Sequence, residues 1–401
     1  MRSLVANKQL LYLFFSSALV PFVGMGLLPI LPLYAAQFGA TPTAVGLYYA
    51  ITYLASLMGV LLTERLARWL SYRGAFIIAG ALGIPPLALM GQVTTLWQLV
   101  LLTAAVWFFG TAVMTLVSVL TGLLANGKSR GQWFSLMVLV YPLGALFGGT
   151  AVGQLIARHG YPVMFIVLGA TWIILPAVGL FGLNGKQFSR PVPAAPERKG
   201  ATPGPGQTFY LLLLTSLLGG TAVHVGRLGT PLSMQVLDFS AGAVASTATV
   251  SGLITIPIVL LIGVLSDRLG RKRFLMLAYL LAAGGVLTLA VASALWHFWL
   301  AATLLLIASS VKGAVASALA TDTLAPAALG RGLSRLNATD SVASILLFAG
   351  AGYIIDTLGT MALYGLAATL AVAAAWQLRQ LQSHQTPTAP VVAPRLQCVP
   401  C

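Results

Sequence analysis

Asn184 to Gln207 read NGKQFSRPVPAAPERKGATPGPGQ, a stretch of Pro, Gly and charge in a chain otherwise made of long apolar runs. Such a composition suits a flexible surface segment, not a packed element. Six apolar runs precede it, at about 9–31, 44–64, 74–92, 97–122, 133–156 and 162–183. Six more follow, at about 208–231, 243–265, 273–293, 298–321, 335–355 and 361–380. Each run is close to the roughly 20 apolar residues a helix needs to cross a bilayer. The expected fold is an all-α membrane protein of 12 transmembrane helices. One six-helix bundle occupies 1–183, a cytoplasmic linker 184–207, and a second six-helix bundle 208–380. A polar tail at 381–401 is expected to be disordered.

Composition agrees. Of 401 residues, 58% are hydrophobic and only 7% charged, with a mean hydropathy of +0.93. A soluble domain carries about a quarter charged residues, so a soluble enzyme is excluded. The net charge of +15 comes from 22 Lys and Arg against 7 Asp and Glu. No compact basic domain exists, so the expected partner is the lipid bilayer and not nucleic acid. We assigned the N-terminus, every second loop, the linker and the tail to one side of the membrane. That side then holds 19 of the 22 basic residues. Arg158 alone lies opposite, and Arg227 and Lys312 fall inside spans. The positive-inside bias puts both termini in the cytoplasm of a cell whose plasma (inner) membrane holds the protein. The first run lacks a small-residue cleavage site and is read as a mature helix, not a signal peptide. The two cysteines, Cys398 and Cys401, both lie in the tail and allow no disulfide framework within the fold.

The halves repeat at an offset near 199: Pro32 matches Pro231, Leu96-Trp97 matches Leu295-Trp296, and Gly153…Gly160 matches Gly352…Gly359. Six spans per half make both halves enter the membrane in the same direction. The expectation is a parallel, pseudo-two-fold repeat with a site between the halves.

At the cytoplasmic end of span 8 the chain reads Gly263-Val-Leu-Ser-Asp267-Arg268-Leu-Gly270-Arg271-Lys272-Arg273. This resembles the signature loop of the major facilitator superfamily, G-x-x-x-D-R-x-G-R-[KR]-[KR]. The first half offers Gly59-Val-Leu-Leu-Thr-Glu64-Arg65-Leu66-Ala67-Arg68, with one extra residue, Glu for Asp and Ala67 in the place of Gly. The resemblance implies alternating access, with these loops as a conformational latch: Gly263, Asp267, Arg268, Arg271 and Lys272 in one half, and Gly59, Glu64, Arg65 and Arg68 in the other. Asp267 is expected near the N-terminus of span 11, where the helix dipole favours an anion. The bland alternative is a plain positive-inside turn. Tyr141-Pro142-Leu-Gly144-Ala-Leu-Phe-Gly148-Gly149 in span 5 reads as small-residue helix packing.

Polar groups within the spans form the candidate substrate and proton cavity. Tyr48, Thr52 and Ser56 share one face of span 2, and Thr247, Ser251 and Thr255 share the matching face of span 8, again 199 residues apart. They line a cavity or hydrogen-bond neighbouring helices, and the pattern alone leaves both readings open. Span 11 carries Asn337, Asp340, Ser341 and Ser344 on one face, and span 10 carries Lys312. Counting from the cytoplasmic ends puts Asp340 roughly 8 Å deep and Lys312 roughly 13 Å deep, within reach of each other. Charges inside a membrane are costly and usually face a cavity. An Asp–Lys pair that parts in one access state would couple transport to protons; a static structural pair is the alternative. His224 and Arg227 in span 7 either line the cavity or, for Arg227, snorkel to the outer headgroups. One net positive charge among Arg227, Lys312 and Asp340 leans towards a neutral polar or anionic solute.

No nucleotide-binding G-x-x-x-x-G-K-[ST] loop occurs. No catalytic cluster, metal set or cofactor is expected, and the chain is not read as an enzyme. The resemblance implies a transporter, expected as a monomer, that exports a small organic solute against protons by alternating access. The alternative is a sugar or organic-anion transporter, by uniport or with protons.

Overall fold

The computed structural model describes residues 8–124, 136–184, 207–323 and 329–380. Most of the linker and the whole expected tail lie outside them. The described residues form helices joined by short turns, with no strand among them. In chain order the helices are α1 (Lys8–Leu27), α2 (Leu31–Ala36), α3 (Pro42–Leu82), α4 (Ile84–Leu89), α5 (Leu96–Leu124), α6 (Val140–Trp172) and α7 (Ile174–Ala177). After the linker come α8 (Gln207–Val236), α9 (Ala241–Leu269), α10 (Arg271–Ala290), α11 (Leu295–Thr323) and α12 (Leu329–Gln380).

Among the described residues, nine helical stretches are long and apolar enough to cross a membrane. Three of them, Pro42–Gln92, Leu136–Gly182 and Ala338–Arg379, run to 51, 47 and 42 residues. At about 1.5 Å per residue each far exceeds a hydrocarbon layer of about 30 Å. Each also contains one residue off the helical backbone: Ser71 (φ 72°, ψ 162°), Gly160 (φ 76°, ψ 179°) and Gly359 (φ 82°, ψ 169°). These breaks lie in the short gaps between expected spans 2 and 3, 5 and 6, and 11 and 12.

Among the described residues, those with positive φ pair off across the halves. Gly39, Ser71 and Gly160 in the first correspond to Asp238, Gly270 and Gly359 in the second, each 199 residues on. Helix starts pair in the same way. Thr41 caps α3 by accepting from the Ala44 amide, and Ser240 caps α9 by accepting from the Ala243 amide, both at 3.2 Å. A short hydroxyl side chain at this position satisfies one of the amides a helix start leaves open. At the other membrane side, Arg73 donates to the Leu180 carbonyl and Lys272 to the Arg379 carbonyl, again a matched pair.

The halves meet along two seams, α3 against α12 and α6 against α9. Glycines let the backbones touch. A Cβ on Gly46 would lie 2.4 Å from the Phe348 carbonyl oxygen, and one on Gly352 would lie 2.4 Å from that of Pro42. In the other seam a Cβ on Gly252 would meet the Pro142 carbonyl at 2.5 Å, and Gly149 faces the Ala245 carbonyl. Small residues at such crossings are how helices associate in lipid, where hydrophobicity gives no preference for contact. Gly144 and Gly148 face the Pro21 and Phe22 backbone of α1 in the same manner. The first seam carries a polar clasp as well: the Thr43 amide and hydroxyl both donate to Asp356 Oδ2.

Candidate functional site

Residues 42–50 of α3 are packed against α12, but further along α3 the wall opens. Tyr53, Ser56 and Val60 border a cavity of about 730 Å³ that lies between the two halves. Helices α1, α5 and α6 supply apolar and aromatic walls, including Trp107, Tyr141 and Trp172. Helices α8, α11 and α12 supply His224, Arg227, Ser309, Lys312, Asp340 and Ser344. The charge is thus all on the second half.

Two polar groups organise this wall. In the first, Lys312 Nζ is ion-paired and hydrogen-bonded to Asp340 Oδ1. His224 Nε2 lies 3.8 Å from the same carboxylate oxygen and 3.0 Å from the Ser344 hydroxyl, which itself donates to the Asp340 carbonyl at 2.7 Å. His224 is buried, 4% exposed, with its ring edge-on to Phe348, while the Asp340 side chain is 44% exposed. Gly220, one helical turn before His224, makes room for the pair: a Cβ there would sit 2.7 Å from Lys312 Nζ. In the second group, Arg227 donates from one terminal nitrogen to the Tyr53 hydroxyl and from the other to Ser309 Oγ, both at 3.2 Å. Arg227 therefore reaches across the halves into the cavity and does not run out to the headgroups.

The comparisons with known proteins follow this architecture. The model of the Major Facilitator Superfamily matches residues 13–248 and again 209–395.

The chain belongs to the major facilitator superfamily.

Among curated relatives of this superfamily member is Multidrug resistance protein MdtG of Citrobacter koseri, 26% identical over 275 residues, covering 64% of this chain and 65% of that protein. The chain thus spans just under two thirds of the length of that relative. MdtG of Salmonella arizonae is 26% identical over 312 residues, covering 73% of this chain and 74% of that one. Among solved structures, a POT family transporter in complex with a thioalcohol conjugated peptide superimposes with a TM-score of 0.74 at 14% identity, covering 92% and 94% of the two chains. The nucleoside transporter NupG gives 0.72 at 16% identity, covering 94% and 100%. At these identities the structures speak for the fold. The superfamily consists of transporters, not enzymes, and membership agrees with helices long and apolar enough to cross a membrane.

The remaining candidate residues divide. Ser56 lines the large cavity. Thr247 and Ser251 border a smaller pocket of about 80 Å³ beside Arg227, each with its hydroxyl bonded back to its own helix. Tyr48 does not enter the cavity; its hydroxyl bonds Thr103 of α5 at 2.7 Å, both fully packed. Thr52 and Thr255 are buried outside it, Thr52 on the Tyr48 carbonyl and Thr255 Oγ1 with no hydrogen-bond partner. The backbone of Asn337 lies in α12; its side chain is outside the described residues.

For the latch, the packing of Gly263 and the side chains of Asp267 and Arg268 are likewise outside what the structure describes. Arg271 donates to the Ala318 carbonyl of α11 at 3.0 Å, and Lys272 to the Arg379 carbonyl at the end of α12 at 2.9 Å. Cations at the last carbonyls of helices are favoured by the helix dipole. Gly59 lets α3 approach the Phe108 carbonyl of α5, and Glu64, Arg65 and Arg68 are exposed. The register of the first-half loop differs from the one matched by motif. Ala67 is helical and fully buried, so it is not the counterpart of Gly270. That counterpart is Ser71, which takes the positive φ and caps the following turn by accepting from the Gly74 amide.

The structure adds Tyr53 and Ser309 to the site, and places Ser344, on the Asp340 face of span 11, within it. Tyr53 follows the chosen stripe by one residue, and Ser309 precedes Lys312 by three. A helical wheel centred on Lys312 would have found Ser309.

Proposed function

We propose that this member of the superfamily is a secondary transporter that works by alternating access and exports a small organic solute in exchange for protons. The proposal includes twelve spans in two six-helix bundles, with both termini cytoplasmic in an inner membrane. The three double-length stretches, each broken once, and the 199-residue pairing of backbone breaks and helix caps support that arrangement. Glycine seams at one end of the halves, with the cavity towards the other, support an access change in which seams and cavity trade places.

The observation that carries proton coupling is the Asp340 carboxylate, open to the cavity and held by Lys312 and His224 from two other helices. Coupling needs an acid that can give up its cation for a proton as helices shift. Here α8, α11 and α12 meet on one carboxylate, so relative motion of any of them alters its partners. The printed names of the MdtG relatives support export as the direction.

The test is solute-induced proton movement in proteoliposomes. With wild type, a transported solute should drive measurable proton flux, and Asp340→Asn should lose it at least about tenfold while still binding solute. Solute movement with no proton flux in wild type would defeat the coupling and leave a uniporter.

A further inference from the structure

The Arg227 site has donors to spare and no carboxylate. Among the described residues no Asp or Glu lies within ion-pair distance of Arg227. Its two partners are neutral hydroxyls, Tyr53 and Ser309. Each hydroxyl accepts from the guanidinium, so its own proton is left to donate elsewhere. Ser309 does not return its hydroxyl to a carbonyl of its own helix, in contrast to Ser251 and Thr303. A guanidinium has five N–H groups in one plane, of which two are used. The cluster therefore offers a fork of N–H donors flanked by two O–H donors from opposite halves.

Charge gives the same answer. Lys312 and Asp340 neutralise each other, His224 is engaged with Ser344 and Asp340, and Arg227 remains as an uncompensated cation in the wall of the cavity. A buried charge without a partner is expensive; an incoming anion supplies the partner. The surroundings are apolar: the 80 Å³ pocket next to Arg227 is bounded by Met25, Leu305 and Leu306, and Tyr141 and Trp107 face the main cavity.

We propose that Arg227, Tyr53 and Ser309 form the headgroup site for an amphiphilic organic monoanion, a carboxylate or its like, whose apolar or aromatic body lies in the cavity. This rests on the transporter reading above and names its substrate class. One net positive charge matches one negative charge, and the carboxylate geometry matches the guanidinium fork. A cationic solute finds no equivalent, because the one acid lining the cavity among the described residues is already held by Lys312. The position also gives the anion a role in the access change. Tyr53 and Ser309 stand on different halves, and an anion bonded to both joins them.

The test uses purified protein in detergent at fixed ionic strength and three probes of one shape: 1-naphthylacetate, 1-naphthylacetamide and 1-naphthylmethylamine. Binding is read by calorimetry. The carboxylate should bind at least about tenfold more tightly than the amide, the scale of a charge-assisted bond over a neutral one. Arg227→Gln should bring the carboxylate down to the amide and leave the amide unchanged. Tyr53→Phe, which keeps the charge and the ring, should cost the carboxylate alone about threefold to tenfold. Equal binding of carboxylate and amide, tighter binding of the amine, a preference that survives Arg227→Gln, or no binding of any probe at millimolar concentration would each overturn the proposal. The assay needs no proton gradient. Failed proton flux with an intact carboxylate preference would defeat only the coupling, and the reverse result would defeat only the anion site.

Discussion

Asp356, near the end of α12 that precedes the Gly359 break, accepts both the backbone amide of Thr43 at 2.8 Å and the Thr43 hydroxyl. Thr43 is the second residue of α3, so a carboxylate of one half caps a helix of the other. The positive end of that helix dipole and a free amide are both directed at the carboxylate. The pseudo-symmetric positions are Ala157 and Gly242, which have no side-chain hydrogen bond to make. The clasp therefore exists on one seam only.

Asp356→Ala should loosen this seam. The contact is solvent-exposed, so its worth is about 1 kcal/mol, not the several that a buried pair would carry. That corresponds to a shift of about fivefold in the balance between closed and open at this end. Spin labels on Gln37 and Thr357, in a background lacking Cys398 and Cys401, should report a longer-distance population in the variant by pulsed EPR. An unchanged distribution would show that the glycine contacts alone hold the seam.

Gly220→Ala should separate coupling from folding. The new Cβ meets the tip of a flexible lysine, not backbone, so the fold accommodates it by moving Lys312 Nζ away from Asp340. Thermal unfolding in detergent should fall by under about 1 kcal/mol. Solute-driven proton flux should fall by about tenfold, as it would on weakening a charge-assisted bond. A wild-type flux with a measurably displaced lysine would mean that the pair is structural.

Gly359→Ala should destabilise through the backbone alone. No heavy atom lies within 4 Å of the position its Cβ would take, yet its φ of 82° with ψ of 169° belongs to a region essentially restricted to glycine. The expected cost is about 1–3 kcal/mol. Ser71 occupies the same region with a side chain, so Ser71→Gly should raise stability by about 1 kcal/mol once the small loss of its cap is deducted. Thermal unfolding of the two purified variants, moving in opposite directions from wild type, checks both.

Much of this architecture was legible because it is written as long-range periodicity. Apolar runs and the 199-residue offset are one-dimensional patterns, and Gly160 and Gly359, paired by that offset, share a positive φ. The site was legible only in part. Lys312 and Asp340 stood out because charge is rare in apolar spans. Tyr53 and Ser309 did not, because hydroxyl residues are common there and their convergence on Arg227 depends on how α3, α8 and α11 are placed. The stripe through Tyr48 and Thr52 misdirected for a related reason: a polar face on a membrane helix is equally served by a neighbouring helix, here Thr103. In the first-half loop the motif, aligned on its acid and arginines, sets Ala67 against Gly270, whereas Ser71 makes the turn.

The 199-residue pairing has one further consequence. Leu28, Met25, Val113 and Tyr141 stand in the first half where Arg227, His224, Lys312 and Asp340 stand in the second. At these positions the halves have divided the labour, the second holding ionizable groups and the first mostly apolar ones. Substitutions in the first half can reshape which solutes fit without touching the groups proposed to exchange protons. Under the proposed function, such a protein is free to drift in selectivity while the Lys312–Asp340 pair stays fixed.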